Sequence, residues 1–116
     1  MRANLTAFFE RFSTAGTAGD CVADVFLAGD ASGIKPVTRQ AFLEALPKRA
    51  EMFAKAGLGT PVLQELTFEA LDDHYLLART EWVAGHVRLV SSYLLHRRDD
   101  GALHVVVYLN HEGLGI

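Results

Sequence analysis

The sequence predicts an α+β fold in which N-terminal helices cover the concave face of a curved, cone-shaped antiparallel sheet. Three observations predict it. From Leu63 to His111 apolar and polar residues alternate in four long segments parted by short breaks. Ahead of them, apolar residues recur at helical spacing. Long neighbouring strands also twist, so such a sheet curls into a half-barrel rather than lying flat. At 116 residues the chain has the size of a single domain, residues 1–116, able to bury a core without disulfide staples.

The first helix is expected over about Ala3–Thr14, because Leu5, Phe8, Phe9 and Phe12 fall on one stripe. Gly16 and Gly19 break it. A second helix is expected over about Cys21–Ala28, capped by Asp20 and turning Val22, Val25 and Phe26 inward. Ile34–Val37 reads either as a short strand that Pro36 confines to an edge or as no strand at all. Thr38 is a good N-cap for a third helix reaching Ala56, with Gly57 as its stop and an apolar face of Phe42, Ala45, Leu46, Met52 and Phe53. Pro47 predicts either a kink there or a break into two helices.

The four strands are expected over Leu63–Leu71, His74–Ala84, Val87–Arg98 and Leu103–His111, joined as a meander through Asp72-Asp73, Gly85-His86 and Asp99-Asp100-Gly101. Splitting them by alternation puts Val87, Leu89, Ser91, Tyr93 and Leu95 on one face of the third strand, with Arg88, Val90, Ser92, Leu94 and His96 on the other. Both faces are substantially apolar, and the helices can cover only one. A homodimer packing through the convex sheet face is therefore expected.

Composition narrows the function classes. The formal charge of −3, with acids and bases interspersed, gives no basic patch for nucleic acid; Lys48-Arg49 and Arg97-Arg98 are isolated pairs. The N-terminus has no signal-like apolar core and no run approaches a membrane span, so a soluble cytoplasmic protein without a membrane partner is expected. The single cysteine, Cys21, fits a reducing compartment. His74, His86, His96 and His104 show neither the helical nor the same-strand spacing of a zinc site. No phosphate loop, dinucleotide fingerprint or nucleophile elbow is present, so no metal or cofactor is expected.

Helices followed by a long meander containing Trp82, Ser91-Ser92-Tyr93-Leu94-Leu95 and a last strand running into His111-Glu112-Gly113-Leu114 resemble the nuclear transport factor 2-like superfamily. That group has a cystatin-like fold and includes steroid isomerases and SnoaL-like polyketide cyclases. The resemblance covers nearly the whole chain and implies a cone-shaped pocket between helices and concave sheet, with dimers through the convex face. In the steroid isomerases a tyrosine on the first helix and an aspartic acid on the sheet form the oxyanion hole, and a second carboxylate is the base. Phe8 stands where that tyrosine would be, Tyr93 where the aspartic acid would be, and no carboxylate of Asp30-Ala-Ser-Gly-Ile34 aligns with the base. The histidine–aspartate pairs of scytalone-dehydratase-like members have no counterpart either.

The candidate ligand-pocket residues are Phe8, Phe12, Trp82, Tyr93, Tyr108 and Asn110. Tyr93 could donate its phenol proton to a ligand oxygen inside an apolar cone. Trp82 offers a flat apolar surface, and Tyr108 with Asn110 would line the mouth. His111 could act as a base but falls on the opposite face from Asn110. Three functions compete: binding of an apolar small molecule without chemistry; a cyclase, isomerase or dehydratase acting on an apolar carbonyl compound; and an accessory dimer whose cone is filled by its own phenylalanines. The catalytic residues of the second are unknown.

Overall fold

The computed structural model describes residues 1–111; Glu112, Gly113 and Leu114 of the resembling stretch lie outside the described residues. The elements are α1 (Arg2–Phe12), a short 3-10 turn (Ala18–Cys21), β1 (Val22–Asp30), β2 (Gly33–Thr38), α2 (Arg39–Lys55), β3 (Val62–Ala70), β4 (Tyr75–Ala84), β5 (Val87–Arg97) and β6 (Leu103–His111). One curved, open sheet holds all six strands in the order β2-β1-β6-β5-β4-β3.

The meander forms with the expected boundaries to within about two residues. Asp72 Oδ1 accepts from the His74 and Tyr75 amides at 2.8 and 2.9 Å, so this acid closes its own turn. At the β5–β6 turn Gly101 takes φ +86° and Arg98 N–H reaches the Ala102 carbonyl at 2.8 Å.

The expected second helix is instead β1, and the expected three helices are two. Val22 and Phe26 are four residues apart, a spacing that shares a face in a helix and in a strand alike. Val25 and Leu27 discriminate: a helix would bury Val25, but it is 57% exposed and Leu27 is 40% exposed, as alternation requires. The β-branched and aromatic content of Val22–Phe26 favours the extended chain. β1 pairs antiparallel with β2 and parallel with β6, Leu27 opposite Val107 and Ala28 opposite Tyr108. The sheet is thus mixed, not purely antiparallel, and reaches two strands beyond the meander.

A bulge breaks the strict alternation of β6. Leu94 pairs with Val107 and Leu95 with Val105, leaving Val106 as the extra residue. Val105 therefore joins Tyr108 on the concave side, where both are buried. Leu5, Phe8, Phe9 and Phe12 of α1 pack there, with Phe9 4.7 Å and Phe12 5.7 Å from the Tyr93 ring.

α2 is one helix across Pro47, not two. Thr38 Oγ1 accepts from the Ala41 amide at 3.1 Å, the expected N-cap. At the other end Leu58 N–H bonds the Phe53 carbonyl and Gly57 N–H bonds the Ala54 carbonyl, with Gly57 at φ +75°, a Schellman stop. None of the 17 residues of α2 is buried. Met52, expected on the apolar face, is 70% exposed.

Candidate functional site: a cavity beneath α2

An amphipathic helix normally buries its apolar stripe against the core. α2 presents Phe42, Leu46 and Phe53 toward the concave sheet and buries none of them, because a cavity of about 370 Å³, partly open to solvent, lies in between. Its floor is Trp82, Leu89, Tyr93 and Tyr108, Phe12 closes one end, and Leu58–Pro61 form part of the rim.

Four of the six sequence-derived pocket residues, Phe12, Trp82, Tyr93 and Tyr108, line this space. Phe8 does not: it is buried deeper, edge-on to Phe9 at 5.1 Å, where it fills core. Asn110 does not either. It is exposed near the end of β6, and its Oδ1 accepts from Ser91 Oγ at 3.0 Å. His111 lies on the convex side with its Nε2 2.7 Å from Ser92 Oγ.

Phe12 organises the closed end. Its ring stacks on Phe42 of α2 at 5.7 Å and, at the same separation, meets Tyr93 edge-on and Tyr108 at a tilt. Beneath it runs a polar chain. Trp82 Nε1 donates to Thr80 Oγ1 at 2.7 Å, and Thr80 Oγ1 lies 3.0 Å from Tyr93 Oη. Both Thr80 and Tyr93 are buried, the latter only 2% exposed. Burial, reinforced by neighbouring Tyr108, raises the Tyr93 phenol well above the usual tyrosine range, so it keeps its proton.

Residue-by-residue reading of the sequence missed two features. The first is Arg49, the sole charged side chain lining the cavity among the described residues. Its Nη1 donates to Tyr108 Oη at 3.3 Å and its guanidinium lies 5.6 Å from the Phe53 ring centre. Spacing carried the signal: residues 42, 46, 49 and 53 form one helical row, with a cation in an otherwise apolar stripe. The second is a cross-strand pair on the convex side, His96 Nδ1 to His104 Nε2 at 3.0 Å. A hairpin centred on the Asp99–Gly101 turn brings these two opposite one another. Among the described residues no group of three or more histidine, cysteine or acidic side chains is placed to hold a metal.

No family model and no curated relative matches the chain. Solved structures do. An NTF2-like protein with a cystatin-like fold from Novosphingobium aromaticivorans aligns with a TM-score of 0.72 at 13% identity, over 97% of this chain and 82% of its own. An NTF2-like protein of unknown function from Pseudomonas aeruginosa gives 0.66 at 15%, over 95% of each chain. A ketosteroid isomerase-like protein from Erwinia carotovora atroseptica gives 0.58 at 12%, over 95% of this chain and 91% of its own. At these identities the likeness is one of fold: the chain has the NTF2-like, cystatin-like fold.

Proposed function

We propose that the protein binds an apolar small molecule in the cavity beneath α2 and carries out no chemistry on it. One observation carries this reading: α2 holds an apolar row over the sheet with no residue buried, resting on Phe12 and Phe26 through Phe42 and standing over open space beyond it. A cavity of about 370 Å³ falls within the range that takes small organic ligands. The α1 phenylalanines fill the neighbouring core and leave this volume open, which weighs against an accessory dimer with a self-filled cone. Among the described residues no aspartate, glutamate or histidine lines the cavity, so a general base for proton abstraction is missing.

A second reading, an enzyme of the cyclase, isomerase or dehydratase kind, draws on Tyr93. If Thr80 gives its hydroxyl proton to Tyr93 Oη, the phenol proton is free to polarise a ligand carbonyl. A homodimer through the convex face goes with either reading. That face carries Leu77 (44% exposed), Leu94, Val107 and Leu109, flanked by Glu69 and Arg79, charges that two copies related by a two-fold can exchange. No helix of the described residues is long and apolar enough to cross a membrane, and a cytoplasmic setting suits the unpaired thiol of Cys21.

The test is a thermal-shift panel of apolar carbonyl compounds. Binding to the native state alone raises the melting temperature progressively with ligand concentration. No stabilisation by any member would overturn the binding reading in favour of the accessory dimer.

A further inference from the structure

We propose that the ligand of this cavity is an apolar monocarboxylate, held by Arg49 and Tyr108. The proposal rests on the binding reading above and names the chemistry of what is bound.

Arg49 is the one charged residue in an apolar row. It interrupts the row Phe42, Leu46, Phe53, and its two nearest groups are neutral, the Tyr108 phenol and the Phe53 ring. A guanidinium carries five N–H donors, and the bond to Tyr108 uses one of them. Two other arginines do find carboxylates: Arg39 meets Asp24 at 2.9 Å, and Arg88 meets Glu81 through Nη2 at 3.0 Å. Among the described residues no acid reaches Arg49 within ion-pair distance, although Lys48 beside it would have put a cation in solvent at no cost to the stripe. The side chain is exposed overall, and the cavity beside it opens to solvent, so an anion can reach it.

The donor set selects a carboxylate. Because Arg49 donates to Tyr108 Oη, the phenol's own proton points elsewhere, and the two groups present separate donors to one anion. A planar guanidinium fork matches the two oxygens of a carboxylate. A phosphate needs more donors, and among the described residues the lining offers no second cation. The rest of the lining, Phe42, Phe53, Trp82 and Leu89, calls for an aromatic or aliphatic body. A second charge on the ligand would find no partner there.

The experiment compares acids with their primary amides, naphthaleneacetate with naphthaleneacetamide and decanoate with decanamide, by titration calorimetry on the full chain. The wild type is expected to bind each acid about tenfold or more tighter than its amide. Arg49→Met should weaken each acid far more than its amide, so that the advantage disappears; Arg49→Lys should keep part of it. Methionine is as good a helix former as arginine, so a melting temperature at or above the wild type's confirms an intact fold. Equal binding of acid and amide by the wild type, or an acid preference that survives Arg49→Met, overturns the carboxylate assignment and leaves the apolar-ligand reading standing. Binding of neither acid nor amide in either pair, with no hit in the carbonyl panel, overturns both.

Discussion

Thr80 Oγ1 lies 3.0 Å from Tyr93 Oη while also accepting the Trp82 indole N–H at 2.7 Å, so one buried hydroxyl holds two aromatic side chains of the cavity floor in place. Replacing it by an isosteric methyl keeps the packing and strands two polar groups. Thr80→Val is therefore expected to lower stability by about 1–3 kcal/mol, the cost of leaving buried donors unmet. Tyr93→Phe removes a single partner and should cost less, about 1 kcal/mol. Urea denaturation checks the order. A Thr80→Val variant as stable as the wild type would show that the chain contributes nothing to holding the floor.

Gly85 links the floor to the rim. It turns from β4 into β5 at φ +60°, and a Cβ there would stand 2.8 Å from the Leu58 side chain, which borders the cavity. Gly101 turns from β5 into β6 at φ +86° with nothing within 4 Å of a built Cβ. Both alanine variants bear the left-handed backbone cost of about 1–2 kcal/mol. Gly85→Ala must also displace Leu58, so it should be the less stable of the two and the only one to change ligand affinity. Equal destabilisation, with affinity unmoved in both, would disconnect this turn from the site.

These side chains also mark how far the sequence could be read. Strong period-2 alternation and the Asp-Gly turn located β3–β6, and the phenylalanine stripe located α1, because each signal is local. β1 carries a helical signal as well, because Val22 and Phe26 satisfy both periods. Of its two partners β2 is adjacent in sequence, but Val105–Leu109 of β6 lies some eighty residues away, with no local trace of the parallel pairing. The bulge at Val106 was equally silent, and without it Val105 and Tyr108 fall on opposite faces. The cavity itself was implied only by resemblance. Whether a stripe such as Phe42, Leu46, Phe53 rests on side chains or on space depends on how far a helix stands from a sheet, and that distance is a tertiary property.

The convex face gives a third prediction. Leu77 is 44% exposed, so Leu77→Arg should cost an isolated chain little, within about 0.5 kcal/mol for a surface change. In a sheet-on-sheet dimer the same change drives a bulky cation into the apolar contact of each copy and strips it of water. Sedimentation velocity at micromolar concentration should show a dimer for the wild type and a monomer for Leu77→Arg, with unchanged circular dichroism. A monomeric wild type at that concentration would remove the dimer.

The His96–His104 pair makes stability respond to acid. Two imidazoles 3.0 Å apart can share a hydrogen bond only if one of the facing nitrogens is unprotonated. Partial burial, then the facing His96, then the Arg98 and Arg39 charges lower the His104 pKa below its ordinary 6.5, and Asp24 opposes them weakly. The unfolded chain therefore takes up this proton before the folded one does. Stability from His104 is complete above the unfolded value and is lost progressively as pH falls from there through the depressed folded value. Urea midpoints measured from about pH 7.5 down to about pH 5 should decline, and His104→Gln should flatten the part of that decline near the ordinary histidine range while leaving the carboxylate-driven loss at lower pH. If wild type and His104→Gln trace parallel curves, the two rings touch without being energetically linked.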